Sequence, residues 1–223
     1  MPQATGPNRR SIKPLLEVIG VFAAVIVGIK IMLALGGIWA KALPLIVPLV
    51  WIYLPIAILM RTRRDFSRYG LTTANLGGNA ALAVAVAAIV IPLFVLGYYV
   101  FHGAVLSRDI QPAFGWNTLL GAVTQLVVIA FPEEIFFRGY VQSRLDDLFE
   151  KRWSVLGTKI GWSIVLTSLI FAAGHVIIRP HPFRAFVFFP SLLFGWMRER
   201  SGSVTSSGIF HGIANITVLI LES

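Results

Sequence analysis

The chain has 223 residues, of which 57% are hydrophobic and only 13% are Asp, Glu, Lys or Arg. A soluble domain is near 25% charged, so this composition argues for a membrane protein. The formal charge of +9 does not indicate nucleic acid, because the basic residues fall in clusters between apolar runs. With no cysteine, a disulfide framework, a thiolate nucleophile and a Cys-ligated metal are excluded.

A helical crossing needs roughly 20 mostly apolar residues. Seven candidates follow in chain order: 15–35, 43–60, 80–101, 116–137, 160–178, 185–197 and 204–221. The first follows MPQATGPNRRSIK with no small-residue cleavage site, and reads as a retained helix rather than a signal peptide. The sixth is short and is expected to begin earlier, within HPFRAF, or to sit tilted. Open-sheet strands are excluded across lipid, where unpaired backbone groups stay unsatisfied. The expected fold is therefore all-α, a polytopic transmembrane bundle of seven or eight helices. Residues 1–110 form its N-terminal helices and 111–223 its core. In YGLTTAN, Gly70 breaks the chain and Thr or Asn caps the next helix.

Charge orients the bundle. With a cytoplasmic N-terminus, the inside segments hold 14 of the 19 basic residues: Arg9, Arg10, Lys13, Arg61, Arg63, Arg64, Arg68, Arg138, Arg144, Lys151, Arg152, Lys159, Arg198 and Arg200. The outside loops hold Lys41, Arg108, Arg179 and Arg184, and Lys30 snorkels near the outer end of the first crossing. This bias predicts a multi-pass protein of the cytoplasmic membrane, in contact with the bilayer and not with nucleic acid.

Ionisable groups inside apolar helices are costly and usually face protein or water. The fourth crossing carries Glu133, Glu134 and Arg138 in FPEEIFFRGY. Glu134 and Arg138 stand four apart, on one helical face, and can form a structural ion pair. That leaves Glu133 unexplained, since adjacent carboxylates disfavour joint ionisation. Pro132 either kinks this helix or starts a new one, whose first turn would favour the two carboxylates. His175 follows small residues in FAAGH, where close helix approach is possible. His211 and Asn215, again four apart, lie in FHGIAN among Gly208, Gly212 and Ala214. They can staple two helices or point two donors at one substrate oxygen. Gln125, about two turns before Glu133, is expected to line the same cavity. His102, His181, Arg179 and Arg184 read as loop residues, and Ser191 and Ser206 have no obvious spacing to a base.

Three kinds of chemistry start from these groups. A Glu and a His activate water as general base while His and Asn donors stabilise an oxyanion. Glu133, His175 and His211 ligate zinc, although no HExxH-like pair supports it. A polar relay serves a transporter, although no inverted repeat is visible. A non-catalytic scaffold is a fourth reading.

Taken together, EEIFFR (133–138), FAAGH (171–175) and HGIAN (211–215) resemble the three motifs of the CAAX protease and bacteriocin-processing family. These are glutamic intramembrane proteases related to the eukaryotic Rce-type prenyl-protein endopeptidase. The resemblance covers roughly 116–221 and implies that Glu133 polarises the attacking water and His175 holds it. It assigns His211 and Asn215 to the oxyanion hole and Glu134 and Arg138 to support. It implies no metal and no cofactor, and a membrane-anchored protein or peptide as substrate. The Ala- and Gly-rich style looks bacterial, and compact size resembles the myxosortases, which remove C-terminal sorting helices.

One tension accompanies the single-site reading. His175 stands about fifteen residues, roughly 22 Å, above the start of its helix, and His211 only about seven residues above its own. A common depth is expected from the fourth helix continuing past Arg138 toward Asp146, and also from the fifth helix starting deeper than its apolar boundary suggests.

Overall fold

The computed structural model describes residues 11–105, 112 and 114–222. Arg9, Arg10, Arg108 and the expected 110/111 boundary lie outside them.

Among the described residues the chain forms seven helices. They are α1 (Lys13–Leu35), α2 (Gly37–Arg61), α3 (Leu76–Val105), α4 (Trp116–Asp146), α5 (Trp162–Ile178), α6 (Phe188–Ser201) and α7 (Val204–Leu221). Five of these, α1, α2, α3, α4 and α7, are long and apolar enough to cross a membrane. The protein is thus an all-α polytopic bundle. One short antiparallel hairpin, β1 (Arg152–Val155) with β2 (Thr158–Gly161), joins α4 to α5. Residues 160 and 161, expected to open a crossing, belong to that hairpin.

Large apolar side chains such as Leu16, Val27, Val84, Ile89, Leu93 and Val127 face outward. Polar side chains are buried among the helices: Glu134, Arg138, Gln142, Ser163, Ser168, Ser191 and Ser207 are at most 4% exposed. Lipid accepts aliphatic groups at no cost but offers polar atoms no partner, so the distribution is inverted relative to a water-facing surface.

Local chemistry explains the element ends. Gly36 and Gly37 both take positive φ, 64° and 52°, which lets α2 start directly after α1. Lys41, expected in an outer loop, consequently sits inside α2. Gly70 adopts the left-handed conformation after the turn Ser67–Tyr69, and the Asn75 side chain accepts from Gly78 N–H to cap α3. A 3-10 turn, Pro182–Val187, covers most of HPFRAF, and α6 itself begins only at Phe188, later than the start expected there.

Helix α4 runs unbroken through Pro132. It has wide, π-type turns at Thr124–Ala130 and Ile135–Gln142, on both sides of Phe131–Glu134. Such turns absorb a residue that cannot donate its own N–H, and they cluster at functional sites. Pro132 therefore starts no new helix, and the two glutamates are interior residues rather than first-turn residues at a free helix end.

Four of the basic residues expected inside, Arg64, Arg68, Arg144 and Arg198, are tied into one network of contacts. Arg64 binds Glu17 of α1 at 2.6 and 3.0 Å, and Arg144 of α4 holds the same carboxylate at 3.0 Å. The hydrogen bonds to Glu17 hold the Arg64 guanidinium above its usual range. Arg68 pairs with Asp147. Arg198 of α6 reaches the Arg68 carbonyl and Ser143 Oγ, each at 2.7 Å.

Candidate active site

Three contacts set the relative depth of the motif residues. Ser163 Oγ donates to Asp146, placing the first turn of α5 beside the last turn of α4. Counted from there, Glu133 and His175 climb their helices by nearly equal amounts. Helix α7 starts deeper: Val204 N–H donates to Gly70 O at 3.0 Å, and Gly139 of α4 lies against Val204 and the Tyr69 carbonyl. Gly139 is two turns short of the end of α4, about 10 Å at 1.5 Å per residue. The seven residues from Val204 to His211 then bring the imidazole level with Glu134. The depth mismatch disappears because α4 continues to Asp146 and α7 begins inside the bundle.

Close approach of α7 to α4 depends on glycine. A Cβ on Gly208 would stand 2.9 Å from the Phe131 ring, and one on Gly212 would strike Leu126. Small residues at this spacing let two membrane helices pack backbone to side chain. Gly174 in α5 similarly admits Phe22 of α1, whose ring would lie 3.2 Å from an added Cβ.

The outcome is a buried polar chain. Glu134 Oε1 lies 3.1 Å from His211 Nδ1, and Glu134 Oε2 pairs with Arg138 Nε at 3.4 Å. Both Glu134 and Arg138 are fully buried. Arg138 Nη2 donates to Ser191 Oγ at 2.8 Å, and its guanidinium lies over Phe171 and Phe194 at 5.4 and 5.6 Å. The Arg138 charge is thus held by a carboxylate, a hydroxyl and two ring faces. The His211 ring stacks on Phe194, with centroids 4.5 Å apart, and His211 Nε2 faces Glu133 Oε2 at 3.8 Å.

Glu133, His175, His211 and Asn215 all line one cavity of about 690 Å³. Its remaining wall is apolar and rich in phenylalanine, with Phe94, Phe183, Phe186, Phe189 and Phe210 contributing. Glu133 and His175 also border a narrower cavity of about 170 Å³ that runs past Phe22 and Trp51 to Arg179 and Arg184. The six motif residues therefore form two layers. Four face the cavity, and Glu134 with Arg138 lies sealed behind His211.

Hydrogen bonding defines the imidazole of His175. Its Nδ1 lies 3.0 Å from the Phe171 carbonyl, which can only accept, so Nδ1 carries the proton. Neutral His175 then presents the Nε2 lone pair. A cavity-side carboxylate and a lone pair are suited to take protons from water, and His211 with Asn215 supplies nitrogen atoms on a third helix.

Several expectations shift here. Gln125 does not line the cavity; Ile129, one turn nearer Glu133, does. Ser191 is an acceptor for Arg138, and Ser206 is bonded to Ser201 Oγ at 2.8 Å, so neither has a neighbouring base. His102 packs on Tyr98, and His181 contacts Phe183. Among the described residues, no three His, Asp or Glu side chains cluster as a metal-ligating set. Sequence reasoning considered Ser191 only as a serine lacking a base and missed Phe194; both belong to α6, which carries none of the three motifs. The approach of α6 to α4 and α7 is tertiary information, and no spacing within the chain signals it.

Fold and site together define a multi-spanning helical membrane protein with a Glu–His–Asn cavity set inside its helices. Residues 114–217, a segment containing all six motif residues, match the family model described as Rce1-like, Type II CAAX prenyl endopeptidase Rce1-like. At the level of that family, the matched segment is similar to CAAX-protease-like intramembrane hydrolases. No curated protein and no solved structure matches the chain.

Proposed function

We propose that the protein is an intramembrane endopeptidase that hydrolyses a peptide bond near the membrane-anchored C-terminal part of a protein or peptide substrate. The observation that carries this reading is the shared cavity of Glu133, His175, His211 and Asn215, backed by the sealed Glu134–Arg138 pair. Glu133 takes a proton from a water that His175 Nε2 holds. The water oxygen bonds to the scissile carbonyl carbon, and the carbonyl electrons move onto oxygen. His211 and Asn215 donate to that oxyanion. Collapse breaks the C–N bond, and Glu133 returns the proton to the leaving amine.

Donation from His211 Nε2 requires both ring nitrogens to be protonated, because Nδ1–H is already given to Glu134. The Glu134 carboxylate is the natural partner of such an imidazolium. In this reading Glu134 positions His211, and Arg138 holds Glu134.

A phenylalanine-lined cavity suits an apolar substrate segment, such as a prenyl group or a membrane helix. The matching family model names the first, and removal of a helical sorting tail in the manner of myxosortases is the second. The chain sits in the cytoplasmic membrane with its N-terminus inside. The test is cleavage in liposomes of prenylated CAAX tails, unprenylated CAAX tails and helical sorting tails, read by mass spectrometry. Wild-type protein should cleave one class, and Asn215→Ala should reduce turnover about a hundredfold with little change in KM. Wild-type rates in folded Glu133→Gln protein would refute the reading. So would stoichiometric zinc, if chelation abolished activity and zinc alone restored it.

A further inference from the structure

The hairpin between α4 and α5 has a chemistry of its own. Leu156 and Gly157 form its tip with φ of 49° and 75°, a tight two-residue turn between paired strands. It is seated on α6: Trp196 Nε1 donates to Val155 O at 3.0 Å, and Arg200 Nη1 to Gly157 O at 3.4 Å. Between the hairpin and the last turn of α6 lies a pocket of about 440 Å³ lined by Arg152, Gly157, Thr158, Lys159, Glu199 and Arg200. We propose that this pocket binds the phosphate headgroup of an anionic phospholipid.

Charge accounting points to an anion. Of the lining residues, Arg152, Lys159 and Arg200 are cationic and only Glu199 is anionic. Glu199 is already shared: Arg152 lies 3.6 Å from it, Arg198 2.9 Å, and Gln142 donates to it at 2.9 Å. Arg152 is also paired with Asp146 at 3.2 Å. Lys159 and Arg200 are left without a carboxylate among the described residues. Both are exposed, and both border the same open space.

The hairpin surface points to a lipid rather than a free anion. Leu156 at the tip is 80% exposed, and Val155 beside it is also exposed. Trp162, 49% exposed, packs edge-on against Trp153. Exposed aliphatic and Trp side chains beside Lys and Arg are the composition of a membrane–water interface. The hairpin hangs between the ends of two apolar helices, so headgroups lie within its reach. A phospholipid satisfies both halves of the surface: its phosphate meets Lys159 and Arg200, and its glycerol and acyl region meets Leu156. Inorganic phosphate would use only the first half.

Native mass spectrometry of the full chain released from detergent tests this, with phosphatidylglycerol and phosphatidylcholine of identical acyl chains. Each cation near a headgroup layer contributes about fivefold to binding of an anionic lipid. Wild-type protein should favour phosphatidylglycerol by roughly tenfold or more, each single variant, Lys159→Gln or Arg200→Gln, should lose part of that, and the double variant should fall to within about twofold of parity. Arg61→Gln/Arg63→Gln, a neutralisation at the same end of the bundle, should leave the preference intact. A double variant that keeps the full preference, or a control that loses it equally, overturns the proposal. So does a wild type that binds the two lipids alike yet takes up inorganic phosphate through Lys159 and Arg200.

Discussion

Glu134 and His211 stand 77 residues apart in sequence, yet Glu134 Oε1 lies 3.1 Å from His211 Nδ1 in a buried contact between α4 and α7. The second oxygen of the same carboxylate faces Arg138. One side chain thereby joins the buried ion pair to the cavity-facing imidazole, and the two adjacent glutamates occupy different surroundings.

That division gives the first prediction. Glu134→Gln keeps the shape but removes the charge opposite His211 and Arg138. Turnover of a cleaved substrate should fall by at least about ten- to a hundredfold, the range seen when a carboxylate orienting a metal-bound His is lost. Glu133→Gln should abolish turnover while substrate still binds. Equal kcat for Glu134→Gln and wild type, measured alongside KM, would remove the positioning role.

The Glu134–Arg138 pair should be costly to halve. Arg138→Met leaves a buried carboxylate without its cation, and should destabilise the protein by about 3–5 kcal/mol. Adding Glu134→Gln to Arg138→Met should recover much of that loss, since the carboxylate that lost its cation is removed as well. Thermal unfolding in detergent, followed by circular dichroism, compares the three variants. A double variant no more stable than Arg138→Met would contradict the ion-pair account.

Helix contact at Gly212 is the third. Gly212→Leu must push α7 from Leu126 and so draw His211 away from Glu134. Cleavage should be lost although the helix content stays. Gly20→Ala is the matched control: nothing lies within 4 Å of an added Cβ there. Activity of Gly212→Leu close to that of Gly20→Ala would show that α7 does not need this approach.

Orientation supplies the fourth. Single-cysteine variants Arg63→Cys and Lys151→Cys in the naturally cysteine-free chain should react with a membrane-impermeant maleimide only after the cells are opened. Labelling of either in intact cells would reverse the topology.

Much of the architecture was legible because lipid imposes simple rules. A crossing must be helical, long and apolar, so hydropathy alone located the seven helices to within a few residues, the start of α2 and the end of α4 excepted. In α2, Lys41 was expected in an outer loop, and the positive φ at Gly36 and Gly37 allowed the helix to begin at once. The hairpin was not visible, because Trp153, Ile160 and Trp162 carry the same apolar signal as a helix start.

The polar residues themselves announced a site. Each ionisable group inside an apolar run carries a desolvation cost, so Glu133, Glu134, Arg138, His175 and His211 stood out without coordinates. Spacing also paired Glu134 with Arg138, since four residues make one helical face. Spacing along one helix cannot report depth relative to another. That was decided by the Asp146–Ser163 contact and by Val204 against Gly139, which bring three helices into one register. Nor could it show which glutamate turns to the cavity and which to His211, or that Ser191 and Phe194 of a motif-free helix complete the surroundings of Arg138. Those choices follow from packing between helices, where one residue rotates a side chain by about 100° and a glycine sets how near the neighbour comes.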